Sequence, residues 1–106
     1  MQKKERDQYY QQSKILKALA HPTRLFIVHT LSDRELCVND ITEMVGVDIS
    51  TISKHLSILR DVGIISFEKR GKSVFYSLKT PCVLNFFQCI MEVQKTNFKE
   101  QYSVMK

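Results

Sequence analysis

Apolar positions along this chain fall at helical spacing in five stretches and alternate in one, between Ile64 and Lys79. Ile15, Leu16 and Leu19 give a short apolar face to residues 13–20. His21-Pro22 interrupts that face, and Pro22 suits the first position of a second helix with Leu25, Ile27, Val28 and Leu31 inward. His21 is then a junction residue. Residues 32–35 form a polar turn, and Leu36-Cys37-Val38 reads as a brief extended segment. Asn39 is a ready N-cap for a short helix over residues 40–45, with Ile41, Met44 and Val45 inward and Gly46 closing it.

Residues 48–63 are the stretch to which the others are fitted. Ile52, Leu56, Leu59 and Val62 recur as a buried stripe. Thr51, Ser53, Lys54, Ser57 and Arg60 cover most of the remaining surface, with no acid until Asp61. Ser50 is a suitable N-cap and Gly63 a suitable stop. Alone, this is an ordinary amphipathic helix. A short helix, a turn containing Gly46 and a second helix, however, make a helix-turn-helix, which aims the outer face of its second helix into a major groove. Small hydroxyls and long cations suit phosphates and base edges there.

Beyond Gly63, residues 64–70 and 73–79 are rich in β-formers and flank Arg70-Gly71-Lys72, a short hairpin turn. Its tip gathers Lys69, Arg70 and Lys72. Edge strands carry such cations to resist aggregation; beside a helix-turn-helix they read as a wing that touches the DNA backbone. Thr80-Pro81 then starts a last helix, with Thr80 as cap and Pro81 as first residue. Cys82, Val83, Leu84, Phe86, Phe87, Cys89, Ile90, Met91 and Val93 cover nearly its whole circumference. So small a chain cannot bury all of that alone, so a symmetric dimer is expected through this helix, assisted by the N-terminal one. Two recognition helices related by a two-fold would read an inverted repeat with half-sites about one DNA turn apart. Residues 1–12 are expected to form a fraying turn or two, and residues 96–106 a loose polar tail. The fold class is therefore mainly α with a small β-hairpin, one winged-helix domain over residues 1–106 with its core in 13–95.

Composition adds limits. The chain has 106 residues, 43% apolar and 25% charged, with a net charge of +5, compatible with a polyanionic partner. No apolar run approaches a membrane span and the charged N-terminus lacks a signal-peptide core, so no membrane partner and a cytoplasmic location are expected. Three cysteines do not make a secreted disulfide framework; in a reducing compartment they are free thiols or ligands. No nucleophile–base pattern, phosphate-binding Gly loop or paired carboxylate site is evident, which argues against an enzyme.

The segments Ala18-Leu19-Ala20-His21-Pro22-Thr23-Arg24-Leu25, Glu35-Leu36-Cys37-Val38-Asn39-Asp40-Ile41, Ser50-Thr51-Ile52-Ser53-Lys54-His55-Leu56, Leu59-Arg60 and Gly63-Ile64-Ile65 occur in the order seen in the ArsR/SmtB metalloregulators. The resemblance covers residues 13–95. It implies a winged-helix homodimer that represses transcription on operator DNA until an inducer lowers its affinity. It also implies that Thr51, Ser53, Lys54 and His55 belong to the DNA-facing helix. Arsenite-type members carry Cys-Val-Cys where this chain has Cys37-Val38-Asn39, so that site does not carry over whole. The Asp/His and His/Glu pairs of zinc- and nickel-type members are missing from the last helix, where Glu92 is the one carboxylate before the tail.

The chain offers Cys37, Cys82 and Cys89 instead. Three thiolates suit As(III) or Sb(III), with Cd(II) or Pb(II) as alternatives. Seven residues place Cys82 and Cys89 within ~20° on a helix face but about 10 Å apart along it, so one small ion requires the helix to open near its start. The bland alternative is three buried hydrophobic thiols. A thiol-redox or persulfide switch between Cys37 and either later cysteine needs only two sulfurs. A winged helix that docks a protein rather than DNA is the remaining alternative.

Overall fold

The computed structural model describes the backbone of residues 1–105 and the side chains of residues 1–101. Among these, helices α1 (Lys3–Leu19), α2 (Pro22–Thr30), α3 (Val38–Val45), α4 (Ile49–Asp61) and α5 (Val83–Met105) enclose strands β1 (Leu36–Cys37), β2 (Ile65–Arg70) and β3 (Ser73–Leu78). The sheet is antiparallel, in the order β1-β3-β2. This is the winged helix-turn-helix expected from the hydrophobic pattern.

One core holds it together. Leu19, Ile27, Val28, Leu31, Ile41, Ile52, Leu56, Leu59, Ile64, Ile65 and Phe87 form a single buried cluster. The stripe of α4 is its centre, since Ile52, Leu56 and Leu59 are at most 1% exposed. Leu25 and Val45 are half-buried at its margin, whereas Met44, expected inward, is exposed.

Several boundaries differ from the sequence expectation. The first residues are not a frayed turn, because α1 is continuous from Lys3, and the loose tail expected from residue 96 is helix to Met105. Among the residues whose side chains are described, both helices are nevertheless mostly solvent-facing: only Ala18 and Leu19 of α1 and Phe87 of α5 are buried. Helix α3 starts at Val38 with Cys37, not Asn39, at its N-cap position. Thr80 and Pro81 precede α5 rather than open it. Val83, Leu84 and Asn85 donate to the carbonyls three residues back, so residues 80–85 make a tight 3₁₀-like turn before α-helical bonding begins. No helix among the described residues is long and apolar enough to cross a membrane.

Candidate nucleic-acid interface

Gly46 makes the turn between the two helices of the reading unit. Its φ of 83° is a left-handed conformation that glycine adopts without strain, and its N–H donates to the Thr42 carbonyl at 2.9 Å. Asp48 then starts α4. The Thr51 N–H donates to Asp48 Oδ2 at 3.1 Å and the Thr51 hydroxyl donates to Oδ1 at 2.7 Å. These bonds, that from the hydroxyl foremost, hold the Asp48 carboxyl below the usual carboxylate range. The cap is thus Asp48, and Ser50, expected in that role, lies within the first turn.

With Ile52, Leu56 and Leu59 inward, α4 exposes Ser50, Ser53 and Lys54, while Ser57 is half-buried beside them. The other residues expected to face DNA are engaged elsewhere. The Thr51 hydroxyl is spent on Asp48. His55 is turned toward the α1–α2 junction, where Nδ1 accepts from Arg24 and the ring lies 4.5 Å from that of His21. Arg60 stands over the Phe67 ring of β2 at 5.2 Å and reaches Asp61 at 3.5 Å, bracing the helix end against the wing.

The wing turns tightly because Arg70 pairs with Ser73, leaving only Gly71 and Lys72 in the loop. Lys69 and Lys72 are exposed. Arg70 is not an unengaged cation: it contacts Glu35 and Glu68, both at 2.8 Å, and lies over the Phe75 ring at 5.0 Å. Its hydrogen bond holds the Glu68 carboxyl below the usual range. The tip therefore presents two lysines, with Arg70 as a strut between the hairpin and the segment before β1.

None of the three cysteines lies on α4 or on the wing strands β2 and β3. Cys37 is half-buried where β1 meets α3; it pairs in register with Phe75, and its thiol donates to Asp40 Oδ2 at 3.1 Å. Cys82 is exposed in the turn before α5 and Cys89 is exposed on α5. Among the described residues, no three His, Cys, Asp or Glu side chains lie close enough to hold a metal ion. Pattern reasoning gave Arg24 and Glu35 no role, while His21, expected at the α1–α2 junction, caps α2 there. Arg24 and His55 are 31 residues apart, and no local spacing signals their contact.

Comparisons with known proteins bear on this arrangement. Residues 21–66 match the family described as "Bacterial regulatory protein, arsR family". The cadmium resistance transcriptional regulatory protein CadC of Listeria innocua is 39% identical over 90 residues, spanning 84% of this chain and 71% of that protein. The crystal structure of NolR from Sinorhizobium fredii superposes with a TM-score of 0.81 at 26% identity, covering 88% of this chain and 93% of that one. The homodimeric winged helix-turn-helix DNA-binding domain Mb0332 of Mycobacterium bovis gives a TM-score of 0.80 at 23% identity, covering 94% and 93%, a likeness of fold.

Proposed function

We infer the function from one premise, that this chain belongs to the ArsR family of bacterial regulatory proteins, whose fold is that of DNA-binding transcriptional regulators. We propose that it is a repressor that holds promoter DNA as a homodimer and leaves it when its cysteines are engaged; no catalytic role is proposed. The observation that carries the DNA half is the outer face of α4, where Ser50, Ser53 and Lys54 stand exposed on a helix seated by three buried aliphatic residues. In this reading Ser50, Ser53, Lys54 and Ser57 meet the groove, and Lys69 and Lys72 meet phosphates. Thr51, His55, Arg60 and Arg70 hold the helix and wing in position. Ile15, Leu16, Phe86 and Ile90, all exposed, supply the dimer face, and a two-fold there gives an inverted-repeat operator.

The proposed inducer is a thiophilic metal or metalloid. The donor chemistry of Cys37, Cys82 and Cys89 suits As(III) or Sb(III), and also Cd(II) or Pb(II); a relative named for cadmium resistance supports cadmium among these. Within one chain the three thiols do not converge, so no release step is derived through an ion. Cys82 lies in the 3₁₀-like turn before α5, where opening the chain to bring the thiols together disrupts fewer bonds than in the helix interior. Exposure of Cys82 and Cys89 favours a second reading, in which a two-electron oxidant such as peroxide takes the two thiol hydrogens and joins one of them to Cys37 as a disulfide, or an inorganic polysulfide supplies oxidised sulfur that bridges the same pair and leaves as sulfide.

Titration of the reduced protein on its promoter with arsenite, antimonite, cadmium, lead and zinc separates these. Release by one of the first four at stoichiometric concentration is expected. Release by peroxide or polysulfide alone supports the redox reading, and a wild-type response in all three Cys→Ser variants removes both. Duplex binding that is indifferent to salt and sequence sinks the repressor reading in favour of protein docking.

A further inference from the structure

The joint between α1, α2 and α4 is fastened by polar groups that the groove-facing surface does not use. Arg24, in the first turn of α2, reaches in two directions. Its Nε donates to the carbonyl of Ala18 in the last turn of α1, and its Nη1 donates to Nδ1 of His55 on α4 at 3.1 Å. Arginine has no acceptor, so Nδ1 of His55 carries no proton and the ring is the neutral Nε2–H tautomer. His21 is fixed as the N-cap of α2, its Nδ1 accepting the Thr23 N–H at 3.1 Å, and its ring packs on that of His55. All three side chains are half-buried.

We propose that Arg24 is a positioning residue for DNA reading, tying the dimer-side helix α1 to the recognition helix α4 through a His55 that must stay neutral. This deepens the repressor reading and rests on it. A shift in the last turn of α1 reaches α4 through one guanidinium as well as through the apolar core. Protonation of His55 breaks the link, because Nδ1–H then faces an N–H of Arg24. The titratable and charged groups that act on His55 are His21 at the α1–α2 junction and Arg24 on α2. Burial foremost, then these two, holds its imidazole below the ordinary range. The unfolded chain therefore takes up this proton first as pH falls. The His55 contribution to stability is full above about pH 6.5 and declines from there toward the lowered native value.

Two measurements on the full chain test this. Nitrogen-15 spectra of the imidazoles at pH 7 should show His55 neutral with its proton on Nε2, and Arg24→Met should raise its titration and erase the tautomer preference. Promoter binding, followed from pH 8 downward, should weaken in the wild type only as pH falls through the lowered native value of His55. His55→Asn, which keeps an acceptor near the Nδ1 position but does not titrate, should flatten that profile. Arg24→Met should lose about tenfold at pH 7.5, the scale of one hydrogen bond to a charged group. A wild-type His55 protonated on Nδ1, or a His55→Asn profile parallel to the wild type, overturns the proposal even if Arg24→Met does not fold. Unchanged binding by Arg24→Met overturns the tether alone, whereas no promoter binding by the wild type at any pH overturns the repressor reading and this proposal with it.

Discussion

Asp48 sets where the DNA-facing helix begins. Asp and Ser are comparable N-caps, so local rules could not choose between Asp48 and Ser50; the choice is made by which side chain reaches the free N–H of Thr51. Asp48→Ala is expected to lower the melting temperature, Asp48→Asn to retain most of the cap, and Ser50→Ala to leave melting unchanged while weakening promoter binding. Because the Asp48 carboxyl titrates below its ordinary range, its contribution is present at neutral pH and is lost as pH falls through that lowered value. A thermal-melt series from pH 7 to 3, on wild type and Asp48→Asn, checks the sign: the wild type should lose the extra stability and the variant should not. Arg70 teaches the complementary lesson. Its place at a basic hairpin tip was legible, but its partner Glu35 comes from a distant segment of the chain, so its neutralisation was not.

At the scale of elements, periodicity located every helix and the hairpin because each buries one face against a common core. It misjudged the outer turns of α1 and α5, where the described side chains mostly meet solvent and local polarity imitates a tail. Phe87 is the anchor that fixes α5 to the body: it is 3% exposed and stacks on His29 with ring centroids 4.6 Å apart. Phe87→Ala should cost about 3–5 kcal/mol in chemical denaturation. The wing makes a second prediction. If Lys69 and Lys72 each neutralise a phosphate, removing both should reduce the salt slope of DNA binding by roughly 1.8, at about 0.9 per contact. Arg70→Ala should leave that slope nearly unchanged while loosening the hairpin, readable as faster amide exchange in β2 and β3.

For the whole molecule, the radius of gyration is 16.8 Å, against about 13 Å for a compact domain of 100 residues. The excess fits two long helices that extend beyond the core with apolar faces uncovered. Under the dimer proposal, Ile90→Glu is expected to shift the protein from dimer to monomer in analytical ultracentrifugation and to abolish binding to an inverted repeat, while Met44→Glu, on the exposed side of α3, should leave the dimer intact. The architecture and the reading helix were legible because they follow from period and turn chemistry. The relation among Cys37, Cys82 and Cys89 was not, because ligand distances depend on tertiary placement that spacing along one helix does not report.

The 17 residues of α1 bury only Ala18 and Leu19 in this chain. An isolated helix of that length is marginal in water, so under the dimer proposal its order is borrowed from the second copy. The helix content of the regulator then becomes a mass-action quantity. Ellipticity per residue should fall on dilution through the dimer dissociation constant, and apparent stability should rise with concentration. In a cell, the amount of such a protein would set not only how many operators are filled but also what fraction of its chains is fully folded, making the repressor's own abundance an input to its structure.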